Sequence, residues 1–295
     1  MRHVRPGFLS MLTVALAMAG AFVVAGYAGA LHPLGDSFSV LRVIAGLVTG
    51  ILGLAALLLR ARLAGALGLM LAGVAAGPIL LDYRATAGPG TGPVVTVYSK
   101  NLWAPLPDAG PLLDDIAAVA PDIVLLQEVS TDNNVILRQL AGSFPHQHLC
   151  PFSRWSGIAI LSRWPLSQTA CSDERALALA RATTPQGELW LGSVHLPWPY
   201  PHTMTQHIES ALAVLGRVQG PAIVGGDFNM PGWGRPVARI AEASGTQRVG
   251  PYLGSFSFGP FSLPIDTILS TGSGIAERRP LLGSDHNGIV ARVRP

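Results

Sequence analysis

The chain is 295 residues long, enough for one large domain or for a medium one with an appendage. A mean hydropathy of +0.41 with 13% charged residues excludes an ordinary soluble composition. Residues 1–84 hold six arginines against two aspartates, net +4, whereas 85–295 hold 14 basic and 15 acidic residues, net −1, with Lys100 the only lysine. Lys and Arg contacts supply most non-specific affinity for a phosphate backbone, so the larger part is poorly equipped to bind nucleic acid.

Three apolar segments come first. Segment 8–31 carries no charge, 38–59 carries only Arg42 near one end, and 63–81 again carries none. Each reaches the ~20 residues that a helix needs to cross ~30 Å of hydrocarbon. Gly and Ala recur along all three, as close packing between membrane helices favours. A buried core helix explains one such run, but three within 84 residues argue for transmembrane helices. Arg2 and Arg5 before the first run, and Ala28-Gly29-Ala30 at its end, also resemble a signal peptide. Its apolar stretch exceeds the about 7–15 residues of such a region and two more spans follow, so it is read as retained. Arg2, Arg5, Arg60 and Arg62 on one side, against Arg42 and Arg84 on the other, put the N-terminus in the cytoplasm. Everything beyond residue 84 is then extracytoplasmic.

The Gly/Pro-rich stretch ATAGPGTGP at 85–93 reads as a linker. Strands are predicted over 94–100, 123–126, 157–161, 189–194, 222–225, 265–269 and 288–293. Helices are predicted over 112–119, with Asp114 and Asp115 in its opening turns, and over 204–218. Several of the strands are apolar on both faces, which points to sheets covered on both sides in a layered α/β sandwich. There is no internal repeat and no low-complexity segment. Cys150 and Cys171 flank the strand at 157–162. Outside the cytoplasm they persist as a disulfide if the chain returns on itself, or else they are two small buried thiols.

The run AIVGGDFNMP at 222–231 ends in Asp227 and Asn229, which share a face if strand geometry continues to its end. A lone acid there is more often a turn cap. The same pattern recurs, however. VVTVYSKN ends in Asn101, DIVLLQE in Glu128 and LWLGSVH in His195; PIDTIL opens with Asp266, and GSDHNGIV sets Asp285 and His286 just ahead of the last strand. Strand ends and strand beginnings occupy one rim where neighbours run antiparallel. Each residue has a plain alternative, His195 as a satisfied structural histidine and Glu128 as a paired acid, and it is the convergence that points to a site. Carboxylates and amides without a Cys/His cluster suit a hard cation, Mg²⁺ or Mn²⁺. Two histidines serve as acid and base or stabilise developing charge, and Asp266 is placed to hold His286 in one tautomer and favour its charged form. No Gly-x-Ser-x-Gly nucleophile elbow is present, so water is the expected nucleophile and phosphate-ester hydrolysis the expected reaction.

Asn101, LQE at 126–128, SVH at 193–195, GGDFN at 225–229, IDTIL at 265–269 and SDH at 284–286 resemble, in that order, the motifs of the endonuclease/exonuclease/phosphatase superfamily. This is the fold of pancreatic deoxyribonuclease, and the resemblance covers residues 93–295. It implies a four-layer αββα sandwich, here preceded by three transmembrane helices, and a divalent metal. Carried over by motif, Glu128 is the principal metal ligand, with Asn101 and Asp285 nearby. Asp227 and Asn229 position the attacking water and the phosphate. His286, oriented by Asp266, and His195 bracket the phosphate oxygens. Thr267 departs from the aromatic or histidine that relatives often carry, which weakens inference about substrate. No equivalent is evident for the carboxylate that pairs with the first histidine of the deoxyribonuclease, which leaves the acid role of His195 open.

The superfamily cleaves nucleic acids, inositol phosphates, sphingomyelin and other phosphoesters, so the fold does not choose a substrate. Aromatic residues follow the strand ends: Trp103 after Asn101, Trp198 and Tyr200 after His195, and Trp233 after Asn229, with Phe256, Phe258 and Phe261 ahead of Asp266. Beyond ordinary loop packing, such rings grip a lipid or enter the headgroup region, or stack on single-stranded bases. A linker of about nine residues keeps the domain within ~30 Å of the bilayer, where a membrane-confined substrate is favoured. The expectation is a membrane-anchored phosphoesterase acting on a lipid-linked phosphoester or diphosphate at the outer surface. The arrangement resembles bacterial membrane proteins associated with teicoplanin resistance, which implies a cell-envelope lipid. A membrane-anchored nuclease acting on extracytoplasmic DNA or RNA is the alternative. A domain that only binds or assembles is disfavoured because all eight expected polar positions are filled.

Overall fold

The computed structural model describes residues 6–82 and 92–295, so the linker expected at 85–93 lies outside the described residues except for its last two. The chain divides into two compact units, a helical one built on the N-terminal third and an α/β one built on the remainder.

The helical unit contains α1 (Pro6–Ala25), α2 (Leu34–Val40), α3 (Arg42–Leu58) and α4 (Arg62–Asp82). Residues 7–25 and α4 are long and apolar enough to cross a membrane, and α2 with α3 makes a third span only if the pair is counted as one, across a bend of 67°. The first helix therefore ends six residues before the expected boundary at 31, and the second expected span is broken. The break falls beside the one charge in that segment: Arg42 is buried with its guanidinium 4.2 Å from the centre of the Tyr27 ring. Met11, Met18, Ile51, Leu54, Leu63 and Leu80 are exposed, an apolar exterior that suits lipid rather than water. α3 and α4 approach through glycines; a Cβ added to Gly68 would stand 2.9 Å from the Gly53 Cα.

The α/β unit has fourteen strands among the described residues. In chain order they are β1 (Val95–Asn101), β2 (Ile123–Val129), β3 (His146–Cys150), β4 (Gly157–Ser162) and β5 (Leu166–Cys171). Then follow β6 (Leu177–Thr184), β7 (Gly187–His195), β8 (Ala222–Asp227), β9 (Gln247–Arg248) and β10 (Phe256–Phe258). The last four are β11 (Phe261–Leu263), β12 (Asp266–Ser270), β13 (Ser273–Arg278) and β14 (Ile289–Arg294). Its helices are α5 (Gly110–Val119), α6 (Val135–Leu140), α7 (Met204–Leu215) and α8 (Arg235–Ala243).

Two six-stranded mixed sheets result, ordered β13-β14-β1-β2-β4-β3 and β5-β6-β7-β8-β12-β9, with β10-β11 as a separate hairpin. One buried apolar cluster joins the sheets face to face, drawing Val97, Ile123 and Leu125 from the first and Ala180, Leu191, Ile223 and Ile268 from the second. The opposite face of the first sheet buries Tyr98, Val124 and Leu126 with Leu112 and Ile116 of α5 and Ile136 of α6. That double burial is why β1 and β2 are apolar on both faces.

β1 and β2 run parallel, as do β7 and β8, while β12 and β14 run antiparallel to β8 and β1. The C-terminal ends of the parallel pairs thus share a rim with the start of β12 and the approach to β14. Gly226 makes the pairing of β7 and β8 possible: its φ is 147°, and a Cβ there would lie 2.0 Å from the Val194 carbonyl oxygen. A disulfide joins Cys150, at the end of β3, to Cys171, at the end of β5. It therefore ties an outer strand of one sheet to an outer strand of the other. Replacing both cysteines by alanine should lower stability towards urea by about 3 kcal/mol, since the bridge closes a loop of this size in the unfolded chain. An unchanged unfolding midpoint would mean that the sheet edges hold without it.

Candidate active site

The register of the second sheet sets Asp266 of β12 opposite Asp227 of β8, and Asp227 beside His195 of β7. Three polar side chains therefore stand in one row across three adjacent strands. In the first sheet Asn101 pairs with Gln127.

Asp227 is the centre. It is fully buried; its Oδ1 accepts the Asn229 amide N–H at 2.8 Å, and its Oδ2 accepts Nδ2 of Asn101 at 3.0 Å and of Asn229 at 3.3 Å. Burial raises its carboxyl to about 7, although His286 and these donors act against the rise. His286 Nε2 lies 3.7 Å and His195 Nε2 3.8 Å from the same Oδ2. His286 Nδ1 is 2.7 Å from Asp266 Oδ2. Burial alone would lower His286, but the Asp266 and Asp227 carboxylates outweigh it and hold the imidazole up to about 10. Burial pulls His195 down, only partly offset by Glu128, whose Oε1 is 3.6 Å away. One histidine is thus cationic and the other neutral near pH 7.

Glu128 reaches this rim through an irregularity. Gln127 points between the sheets, donating to Ser193 Oγ on β7 at 3.0 Å, so strict alternation would turn Glu128 to the other face. Instead the β2–β4 register shifts between Leu126 and Val129, and Glu128 has a left-handed φ of 53°. This bulge re-aims the side chain, and Glu128 accepts Asn101 Nδ2 at 3.0 Å and the Ala104 amide at 3.0 Å. Asn133 supports the bulge by donating to the Glu128 carbonyl at 3.0 Å. Asn229 likewise arrives through a turn: β8 stops at Asp227, Asn229 has φ 46°, and its side chain also donates to Leu196 O at 2.7 Å. Strand alternation was the expected route for this pair; a turn is the actual one.

Asp285 is exposed on the approach to β14, and partial burial of its carboxyl together with the Glu128 and Asp266 charges raises it. The rim therefore carries four carboxyl groups, those of Glu128, Asp227, Asp266 and Asp285, and burial raises two of them, Asp227 and Asp285, above the usual carboxylate range. A divalent cation offsets clustered negative charge, and the hard oxygen donors of Glu128 and Asp285 are of the right chemistry for one. Asp227, Asp266 and His286 each present an atom within 4.8 Å of the other two. Asn101 donates its amide N–H groups to Glu128 and Asp227, while its Oδ1 accepts the Trp103 amide at 2.9 Å. It bridges two acids. His148 also lies close to Cys150 and Cys171, but those sulfurs are joined to each other.

Of the aromatic residues, Trp103 is 38% exposed with φ 59°, and Trp198 packs at 5.7 Å on Phe256, whose ring centre is 5.0 Å from that of His286. Phe258 and Phe261 are exposed on the β10–β11 hairpin. Tyr200 is exposed and Trp233 half-buried; both fall in the short segments 199–201 and 233–235, which group with the helical unit. Sequence reasoning missed the inter-sheet pair Gln127–Ser193 and the buried Lys100. A polar residue inside a strand otherwise apolar on both faces is the signal that would have found them.

Two mixed sheets with one shared core and a polar rim define the deoxyribonuclease-like class of α/β fold. A protein of this family from Beutenbergia cavernae aligns with a TM-score of 0.56 at 18% identity, over 68% of this chain and 72% of that one. A family protein from Leptotrichia buccalis gives 0.53 at 16% identity, and a humanized D. rerio TDP2 gives 0.53 at 17%, each over 68% of this chain and 99% of the other. No curated protein sequence matches the chain significantly. The profile of the Endonuclease/Exonuclease/phosphatase family matches residues 98–286, so the chain belongs to that family, whose members hydrolyse phosphoester bonds and generally use divalent metal ions.

The pairing of Asp266 with His286 makes a pH-dependent contribution to stability. A histidine held above its unfolded value of about 6.5 stabilises the fold fully below that pH, and the contribution fades as the pH rises towards 10. In metal-free protein, the stability difference between wild type and Asp266→Asn should be largest at pH 6 and shrink by pH 10. A difference that stays constant across urea titrations at those pH values would contradict the charged pair.

Proposed function

We propose that this centre hydrolyses a lipid-linked phosphoester or diphosphate at the outer membrane surface, by attack of water on phosphorus. The observation that carries the reading is the convergence of Glu128, Asp227, His195 and His286 in a chain that also has helices long enough to span a membrane. The reading includes a four-layer αββα sandwich, three crossings, a boundary within 85–93 and an extracytoplasmic site. The disulfide supports that location, since such bonds persist outside the reducing cytoplasm.

In this reading Asp227 accepts a proton from the attacking water, held in place by the N–H groups of Asn101 and Asn229. A carboxyl that titrates near 7 is matched to that task. His286, kept charged by Asp266, donates from Nε2 to a phosphate oxygen, and neutral His195 approaches from the other side of Asp227. Glu128 and Asp285, with Asn101 beside them, would hold Mg²⁺ or Mn²⁺, whose charge would offset that of the phosphate and make a bound water more acidic. Trp103 and Trp198 would contact the substrate's apolar part, and Tyr200 and Trp233 are kept as candidates for the same role from the sequence alone.

A nuclease acting on extracytoplasmic DNA or RNA is the second reading, favoured by the exposed Trp103 as a stacking platform. Charge weighs against it: the only lysine is 1% exposed, which leaves arginines alone to meet a phosphate backbone.

With Mg²⁺, purified protein should release phosphate from a headgroup-varied lipid panel, and His286→Ala should lower the rate by roughly 10²–10⁴-fold. Rapid cleavage of plasmid DNA with no lipid turnover would reject the lipid reading. Alkaline phosphatase fused after Tyr83 should be active; an inactive fusion would put the catalytic unit in the cytoplasm.

A further inference from the structure

Lys100 is the only lysine in the chain, and it is buried one residue before Asn101. We propose that Lys100 is a positioning residue, which fixes from behind the backbone that carries Asp285 and His286. The inference rests on the phosphoester reading of the site and concerns a residue, Lys100, that faces away from it.

Alternation along β1 puts Asn101 on the face towards the second sheet and Lys100, with Tyr98, on the opposite face, where Tyr98 belongs to the apolar cluster shared with α5. A lysine there has no route to the substrate. Its Nζ donates to the Leu281 carbonyl at 2.7 Å and also to the His286 carbonyl. These acceptors are the two ends of the loop that delivers the SDH motif. A third bond closes the same joint: Ser284 Oγ donates to the Asn101 carbonyl at 2.8 Å and accepts the His286 amide at 3.0 Å. The last two residues of β1 therefore grip residues 281–286 at three points.

The division of labour follows from which atoms are held. Asp266 holds the imidazole ring of His286 at Nδ1, whereas Lys100 holds the carbonyl of the same residue. A ring fixed by one carboxylate still swings if its backbone moves, and errors of about 1 Å at such a group are worth about 10²-fold in rate. An apolar side chain could fill the space but could not donate to the buried His286 carbonyl or to that of Leu281. Burial pulls the Lys100 ammonium down to about 8, and the Asp266, Asp285 and Asp115 carboxylates keep it from falling further.

The test compares Lys100→Met, Lys100→Arg and, as a control, Tyr98→Phe, which removes a bond to Asp115 at 2.7 Å in the same layer and leaves the three hydrogen bonds to residues 281–286 in place. Lys100→Met should lower kcat about 10–100-fold and leave KM within about threefold, as loss of a supporting partner does. Lys100→Arg, which keeps charge and donors, should recover part of kcat, and Tyr98→Phe should lose stability but not kcat. Native-state hydrogen exchange provides a readout independent of activity. Amides 282–288 should lose protection in Lys100→Met while the ends of β2 and β8 keep theirs. Wild-type kcat and loop protection in Lys100→Met would overturn the proposal, as would an equal kcat loss in Tyr98→Phe. If Lys100→Met does not fold, Lys100→Gln, which keeps two N–H donors at shorter reach, is read by the same criteria. A wild type inactive on every phosphoester tried would sink the functional reading, and loop exchange alone would then decide the role of Lys100.

Discussion

A carboxyl group closed off from water at the end of an apolar strand must be surrounded by donors or give up its charge. Asp227 satisfies this demand by gathering the site around itself. Asn101 comes from the first sheet, Asn229 from the following turn, and the two histidines approach the same oxygen from either side. These partners belong to four separate stretches of chain, so the packing of one sheet on the other is what brings them within reach. The chemistry at the rim and the apolar cluster between the sheets are therefore one structural problem. Loosening the cluster would separate Asn101 from Asp227 before it disturbed either sheet alone.

The arrangement also explains why two histidines of the same type behave differently. His286 has a carboxylate on each nitrogen side and keeps its proton; His195 is buried with weaker support and loses it. The difference lies in Asp266, whose place is set by its register opposite Asp227. Strand pairing, rather than any property of the imidazoles, assigns the charges.

Much of this was legible in the sequence because the relevant residues end or begin strongly apolar strands. The cores of β1, β2, β4, β7, β8, β12 and β14 were each anticipated to within a few residues, as were α5 and the start of α7. What escaped was polar or short. β3 and β5 read HQHLC and LSQTAC, edge strands with one wetted side and little apolar periodicity, and α6 has only six residues. β6, LALARATT, is fully buried along its first half with small side chains that give no alternating signal. At the site, residue identities could be read but their routes could not. Glu128 depends on a bulge and Asn229 on a turn, both left-handed conformations that no alternation rule supplies. The role of Lys100 is carried by carbonyls more than 180 residues further along the chain. The break at Arg42 was signalled by the charge itself, but its consequence, a bend in place of a straight span, needed the Tyr27 ring to be in position.

The bond between Cys150 and Cys171 has a bearing on when the fold reaches its full stiffness. The reactive groups come from both sheets, and this covalent latch at their margins adds to the apolar cluster that holds the two halves in register. For a chain threaded outward as proposed, the latch closes only after translocation, when an oxidant is first met. Final stiffening would then be timed by the compartment, and a copy stranded inside would hold its two halves by packing alone.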